Sequence, residues 1–203
     1  MEKTIRSLKV PNKQCQDFKI AGVFKEINPE LVNLIKGNKL SPKPLMVCSG
    51  GTSSRCTAKD HWTLDLREKY KDVYYNKQSN IVKIEAGVKM NNLIRLLAKE
   101  GRSFPIGLSG EVGVGYILTG GISPLSRKYG LAIDNIHEIK GIWGNGETFT
   151  ISKSGLDSDR QKKNEWKALC GAAPFLAIVT SLKLNTHLLN PIYIWENVLE
   201  PNE

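Results

Sequence analysis

The stretch that decides the fold is "FPIGLSGEVGVGYILTGGISPLSRKYGLAIDNI", which runs from Phe104 to Ile136 and contains seven glycines. Its valine, isoleucine and leucine content is too high for a flexible linker. Glycine among apolar residues indicates backbone pressed flat against a large planar ligand, because glycine adds no side-chain bulk. A glycine-rich loop packed on its own core is the alternative, and this stretch alone leaves both open. Hydroxyl donors for the polar edge of such a ligand are present at Ser109, Thr119, Ser123 and Ser126.

A second glycine segment lies upstream, in "VCSGGTSSRC" from Val47 to Cys56. It places two glycines and four hydroxyl side chains directly after a short apolar run. Adjacent backbone N–H groups in such a loop form an anion-binding nest, and glycine lets the backbone approach a phosphate closely. A tight surface turn has the same composition. The loop therefore indicates either a phosphate site or a simple turn.

The residues around this loop predict a small α/β unit over residues 1–70. "NPELVNLIKGN" predicts a helix that Asn28 caps, with Pro29 in its first turn and Gly37 at its end. "PLMVC" predicts a buried strand that runs straight into the loop, and "HWTLDL" predicts a second strand. In α/β proteins ligands bind at the carboxyl ends of strands, which is where this loop would lie.

Residues 71–203 predict a second unit, with a mixed sheet and helices. "NIVKIEAGV" alternates as a half-buried strand, and "MNNLIRLLAKEG" has the apolar face of a helix. "IHEIKGIWGNGETFTIS" predicts a hairpin with a type I′ turn at Asn145-Gly146. Ser152 to Asn164 is predicted to be a surface loop, and "FLAIVTSLKL", Phe175 to Leu184, a final β-rich run. The fold class is therefore α+β with hairpins.

The amino-acid composition makes some classes of protein less plausible for this chain. The net charge is +9, but the charged residues are scattered and no aromatic platform accompanies them, so a nucleic-acid-binding protein is the weakest of three hypotheses. Four cysteines without CxxC spacing favour reduced thiols and a cytoplasmic protein. No apolar run is long enough for a membrane span. The three histidines lack metal or triad spacing, so we predict no metal site and identify no catalytic residue.

Three blocks of the sequence resemble the FAD-binding domain of the FAD-linked oxidases. These are the vanillyl-alcohol-oxidase or PCMH-type flavoproteins, among which the motifs of the berberine-bridge-like enzymes are most similar to these blocks. The blocks are "SGGTS", "VGVGYILTGGISPLSRKYGLAIDNI" and "EWKALCGAAPFLAIVTSLKL". They appear in the family's order, and the resemblance extends from about Pro44 to Leu184. The middle block is the most specific, because "SRKYGLAIDNI" is a long match with no compositional cause.

The resemblance implies a PCMH-type FAD-binding domain made of two α/β subdomains that enclose FAD. "SGGTS" would hold the pyrophosphate through backbone N–H groups, and the Gly113 to Gly130 segment would line the isoalloxazine and ribityl chain. Ile178 and Val179 would meet the cofactor through backbone atoms. The cofactor-binding residues implied are Ser49, Gly50, Gly51, Thr52, Ser53, Ser109, Gly113, Gly115, Thr119, Gly120, Gly121, Ser126, Tyr129, Gly130, Asp134, Ile178 and Val179.

The sequence departs from the family pattern where members attach the flavin covalently. Thr52 replaces the histidine of the pyrophosphate loop, and Ser109 replaces the cysteine of the second attachment point. We therefore predict FAD held without a covalent bond. Ala172, Ala173 and Ala177 occupy usual glycine positions, which leaves FAD binding expected but alters its contacts.

Family members continue into a substrate domain, which we expect to be absent or truncated in this chain, with a partner chain as its possible source. The first functional hypothesis is an FAD-dependent oxidoreductase domain that receives a hydride from a small-molecule substrate. The second is a degenerate or non-catalytic flavin-binding module that needs a partner chain. As written, the chain is expected to lack efficient turnover.

Overall fold

The computed structural model describes residues 9–13, 19–37, 45–193, 195 and 197 of the 203-residue chain. Cys15, one of the four cysteines, lies outside the described residues, as do Asn38 at the end of "NPELVNLIKGN" and Pro44 at the start of "PLMVC". The elements that position the candidate site all fall within the described ranges.

A three-stranded parallel sheet carries the glycine loop of Val47 to Cys56. Its strands are β1 (Gly22–Phe24), β2 (Met46–Cys48) and β3 (Trp62–Asp65), in the order β1-β3-β2. Helix α1 (Pro29–Lys36) packs on this sheet, with the fully buried Leu31 in one cluster with Leu64. The predicted cap is confirmed, since the Asn28 side chain accepts a hydrogen bond from the Leu31 N–H. The loop after β2 therefore leaves the carboxyl end of a strand.

The next elements along the chain are β4 (Val73–Asn76), β5 (Ile81–Glu85), α2 (Met90–Lys99), β6 (Arg102–Ser103), β7 (Ile136–Trp143), β8 (Thr148–Ser152), β9 (Ala177–Asn185) and β10 (His187–Leu188). Five of the strands form an antiparallel sheet in the order β4-β5-β9-β7-β8. The alternating "NIVKIEAGV" strand is confirmed, with Val82, Ile84 and Ala86 buried. A two-stranded ribbon pairs β10 with β6.

Three further helices complete the described chain: α3 (Val114–Leu118), α4 (Ser126–Tyr129) and α5 (Arg160–Leu176). α3 packs against α5, and both share the main apolar core with α2 and the five-stranded sheet. This core brings the glycine segment from Phe104 to Ile136, which contains α3 and α4, against the end of α5. The contacts of α3 with α5, and of both helices with the five-stranded sheet, join segments that are far apart in the sequence.

The predicted hairpin is confirmed, but its turn is not type I′. That turn needs positive φ at both central residues, and Asn145 does not have it. Instead the Gly146 N–H bonds to the Trp143 oxygen, and Gly146 alone is left-handed at φ +82°. Gly144 lengthens the loop to three residues, which favours a turn followed by a left-handed glycine.

Two predictions about the α5 region are wrong. The supposed loop from Ser152 to Asn164 contains the start of α5, whose cap Asp159 accepts a hydrogen bond from the Lys162 N–H. The β-rich run begins at Ala177, because Phe175 and its neighbour still belong to α5. The helix was missed because it is kinked at Gly171, where φ is +116°, and because it contains a proline.

The two sheets use different parts of the chain. The three-stranded sheet ends at Asp65, and the five-stranded sheet starts at Val73. A division near residue 70 is compatible with this arrangement and stays a prediction, as do its two subdomains. None of the helices in the described ranges is both long and apolar enough to cross a membrane.

Candidate functional site

A cleft of three adjoining cavities runs along the two glycine segments. The central cavity, of about 380 Å³, is lined by the loop after β2 together with α3. An apolar cavity of about 330 Å³ adjoins it beside β2 and the end of α5. An open cavity of about 490 Å³ adjoins it on the other side, between residues 107 and 124. The apolar and central cavities share a neck formed by Val47, Ser49, Arg55, Gly115, Pro174 and Phe175.

The two glycine segments cross at Gly50 and Gly113. A Cβ atom on Gly50 would lie 2.4 Å from the Gly113 nitrogen, and a Cβ on Gly113 would lie equally close to the Gly50 nitrogen. The Ser49 hydroxyl joins the segments, since it donates to the Ala86 oxygen and accepts from the Val114 N–H at 3.0 Å. Glycine is required here because only bare backbone allows this approach. Ser49 therefore uses its side chain to hold the crossing together.

The loop after β2 lines the central cavity with Ser49, Gly50, Gly51, Thr52 and Ser53. Within the described ranges, no hydrogen bond is made by the N–H groups of Gly50, Gly51 and Thr52, although both glycines are buried. The loop is held from its other side, because Asn12 donates to the oxygens of Gly51 and Thr52. Gly51 has φ +73°, and its Cβ would meet Pro11 at 2.8 Å. A side chain at Gly51 would therefore distort the loop before it reached a ligand.

The cleft carries almost no charge of its own. Among the described residues that line the three cavities, Arg55 is the only charged one. A cation beside buried N–H groups, with no carboxylate in the wall, favours an anion. The central cavity therefore fits a phosphate or pyrophosphate, and the tight-turn alternative does not explain its unpaired donors.

The two outer cavities differ in character. The apolar cavity is lined mainly by aliphatic side chains of β2, α3 and α5, which suits a flat nucleobase. In the open cavity, Leu108 is 92% exposed and Ile122 is 72% exposed. Tyr116 lines both the open and the central cavity, and its hydroxyl donates to the Ile122 oxygen. A long ligand with a polar middle fits this succession.

The structure brings many of the predicted site residues to the cleft. The central cavity is lined by Ser49, Gly50, Gly51, Thr52, Ser53, Gly113, Gly115 and Thr119. Ser109 lines the open cavity, and Val179 lines the apolar one. The cofactor assignment of these residues stays a prediction. Predicted residues outside the three linings are Gly120, Gly121, Ser126, Tyr129, Gly130, Asp134 and Ile178.

Residues 127–135, in the second half of the middle block, form hydrogen bonds with one another. The Asp134 carboxylate accepts from the Leu131 N–H at 2.8 Å, and the Asn135 amide donates to the Tyr129 and Leu131 oxygens. Gly130 is left-handed at φ +78°, which a side chain would strain. These hydrogen bonds hold residues 127–135, "RKYGLAIDN", in a closed loop, which we call the loop lock.

Tyr129 was expected at the flavin, but its ring stacks on His187, with ring centroids 4.0 Å apart. His187 Nε2 also lies 2.7 Å from the Asn135 amide oxygen. Burial, followed by the nearby Arg102 charge, lowers the pKa of His187. This stack attaches the loop lock to β10 rather than to the cleft.

Other candidate groups have structural partners. Asp65 makes a two-point ion pair with Arg67, at 2.8 and 2.7 Å. A hydrogen bond with the Cys56 thiol, together with burial, raises the pKa of the Cys48 thiol, which is fully buried. Across the described parts of the chain, no group of three or more His, Cys, Asp or Glu residues is placed to hold a metal.

The lining residues that the sequence did not predict include Arg55, Tyr116, Pro174 and Phe175. Arg55 directly follows the quoted hydroxyl cluster, so its charge was a usable signal. Pro174 and Phe175 belong to the third resemblance block, but the unrecognised α5 hid their position.

An α+β domain with a long cleft, a donor-rich centre and a lone cation belongs to the class of proteins that bind an extended anionic cofactor.

Residues 27–152 match the FAD binding domain family. The chain is also 33% identical to the FAD-linked oxidoreductase janO of Penicillium janthinellum, over 162 residues that cover 76% of this chain. The chain therefore belongs to the FAD binding domain family, whose cofactor is FAD. The resemblance predicted from the three blocks is confirmed.

Other relatives support the same family. Over 97 residues, 46% of this chain and 18% of the relative, the sequence is 35% identical to berberine bridge enzyme-like 24 of Arabidopsis thaliana. In fold, it matches 6-hydroxy-D-nicotine oxidase of Arthrobacter nicotinovorans with a TM-score of 0.77 and 23% identity. That match covers 89% of this chain and 39% of the oxidase. The predicted α+β, PCMH-type fold is confirmed.

The chain spans only part of the curated relatives that it matches, 35% of the Penicillium protein and 18% of the Arabidopsis protein. The structural relatives are also covered only in part, with 39% for Physcomitrella patens BBE-like 1, which has a TM-score of 0.74 and 25% identity.

Proposed function

We propose that this chain is the FAD-binding domain of an FAD-dependent oxidoreductase that holds FAD without a covalent bond and acts on a small-molecule substrate. The observation that carries the proposal is the lining of the central cavity. It includes Gly50, Gly51 and Thr52, whose N–H groups have no partner among the described residues, and Arg55 is its single charged residue. Burying a pyrophosphate without such donors would cost several kcal/mol. When bound, FAD supplies the hydride acceptor for the reaction.

Each cavity has a separate part in the proposed binding mode. Gly50, Gly51 and Thr52 would donate backbone N–H groups to the pyrophosphate in the central cavity. The apolar cavity would bury the adenine against α5, and the open cavity would receive the isoalloxazine ring. The exposed Leu108 and Ile122 would then border the ring edge. Family membership and the order of the cavities along the cleft support this orientation of FAD, with adenine in the apolar cavity and the isoalloxazine in the open one.

The test of the proposal is a comparison of FAD with FMN. We expect FAD to bind at least about tenfold more tightly, a difference of roughly 1.4 kcal/mol, because FMN leaves the apolar cavity to water. Titration of the purified chain with each flavin, followed by quenching of flavin fluorescence, measures both dissociation constants. Equal affinity for the two flavins would show that the apolar cavity does not take adenine.

Non-covalent attachment is a separate prediction. Thr52 and Ser109, at the two family attachment positions, carry hydroxyls rather than an imidazole or a thiol. Cys56 lines the central cavity but is only 4% exposed. After acid precipitation of the FAD-loaded chain, we expect all the yellow colour in the supernatant. A pellet that stays yellow, with the flavin on a Cys56 peptide by mass spectrometry, would contradict this prediction.

A second candidate function is a non-catalytic flavin-binding module that needs a partner chain. The observation that favours it is the open cavity, whose described lining contains hydroxyls but no carboxylate, imidazole or amine. Anaerobic photometry distinguishes the two candidates, since only the oxidoreductase reading predicts that a small substrate bleaches the bound flavin. The cytoplasmic location and the absence of nucleic-acid binding stay predictions.

A further inference from the structure

Arg55 occupies the neck where the apolar and central cavities meet. It follows the donor loop, and its own N–H bonds to the Ser53 hydroxyl at 3.1 Å, which fixes its backbone beside the phosphate cavity. Its side chain lines both cavities. Arg55 is therefore placed beyond the central donors, on the side of the apolar cavity.

The guanidinium group is held from across the cleft. It lies 5.2 Å from the centre of the Phe175 ring, near the end of α5, and Phe175 lines the same two cavities. The Phe175 ring is 70% exposed, so its position is not explained by burial in the core. A cation over an aromatic face is attracted to it and loses part of its freedom.

The Arg55 charge has no protein counter-ion among the described residues. No carboxylate lines either cavity, and no ion pair of Arg55 is observed there. Guanidinium groups bind phosphate oxygens through two parallel hydrogen bonds. Arg55 is exposed to solvent, and a phosphate in the neck would match both its charge and its paired donors.

We infer that Arg55, positioned by Phe175, binds the phosphate on the adenosine side of FAD and thereby selects the dinucleotide over FMN. The inference rests on the proposed function, because that function places adenine in the apolar cavity. FMN has a single phosphate, which the central donors take, so it makes no use of Arg55. ADP carries the same phosphates as that half of FAD and is the matching fragment.

The experiment measures dissociation constants of FAD, ADP and FMN for the full chain and for Arg55→Gln, Arg55→Lys and Arg95→Gln. Arg95 is exposed on α2 and lines none of the three cavities, so its variant controls for net charge. We expect Arg55→Gln to weaken FAD and ADP binding by roughly tenfold to a hundredfold and to leave FMN within about twofold. Arg55→Lys should recover part of the loss, and Arg95→Gln should match the wild-type chain.

The outcomes separate this inference from the proposed function. A wild-type chain that binds no FAD would overturn the proposed function. A chain that binds FAD equally well with and without Arg55 would overturn the inference alone. Equal losses for FAD and FMN would also overturn it, because Arg55 would then contact the phosphate that both flavins share.

The contribution of Phe175 to FAD binding can be measured separately. Phe175→Leu should weaken FAD binding severalfold in the wild-type background, because it removes a cation–aromatic contact of modest strength. In the Arg55→Gln background it should have no further effect, because the cation is already gone. Additive losses in the double variant would contradict the positioning role.

Discussion

Replacement of Gly115 by leucine is expected to weaken FAD binding by about a hundredfold or more, roughly 3 kcal/mol, without loss of the fold. Gly115 lies in α3 and lines both the apolar and central cavities. An added Cβ at this position meets nothing within 4 Å, so a side chain can start here without a clash. It would instead fill the neck through which the proposed cofactor passes.

The measurement combines flavin titration with thermal unfolding. Leucine has a higher helix propensity than glycine by up to about 1 kcal/mol, so the unfolding midpoint should not fall. Gly155→Leu is the matched control, because a Cβ there also meets nothing within 4 Å and Gly155 lines none of the three cavities. Wild-type FAD affinity in the Gly115 variant would mean that FAD binds elsewhere.

Gly113→Ala should produce the opposite pattern, with loss of stability as the primary effect. The new Cβ would lie 2.4 Å from the Gly50 nitrogen and 2.4 Å from the Ser49 hydroxyl oxygen. The two segments must then separate, which weakens the bond between Ser49 and the Val114 N–H. Overpacking of this kind lowers the free energy of unfolding by about 1–3 kcal/mol.

Urea unfolding of Gly113→Ala measures this loss, and Gly115→Ala, two residues along the chain, is the control. The control should be as stable as the wild-type chain or up to about 1 kcal/mol more stable, because glycine is unfavourable in a helix. FAD affinity of Gly113→Ala should also fall, since the donors of the loop shift with the crossing. Identical unfolding of both variants would show that the crossing is not tight.

Local chemistry made several parts of this protein predictable from its sequence. The Asn28 cap, the alternating strand from Ile81 and the glycine-centred hairpin depend on residues a few positions apart, and all are present. The three resemblance blocks identified the family correctly. The type I′ turn failed because one additional residue, Gly144, changed the loop length.

The sequence also marked "SRKYGLAIDNI" as its most distinctive segment, and the tertiary structure shows how its residues bond to one another, while their predicted cofactor contacts stay a prediction. The Asp134 carboxylate and the Asn135 amide close a loop around the left-handed Gly130, and His187 joins it from β10. A sequence pattern cannot distinguish such a lock from ligand contacts, because both require glycine and hydrogen-bonding side chains at fixed spacing.

By itself, then, the sequence determined the family, the glycine loops and most of the regular elements, because these depend on near neighbours along the chain. Only the tertiary structure decided the shape of the cleft. Its neck joins residues from β2, the following loop, α3 and the end of α5, which are more than a hundred positions apart between Val47 and Phe175. Whether a glycine faces a ligand, as at Gly115, or another backbone segment, as at Gly113, depends on contacts between these distant segments, and no local pattern encodes them.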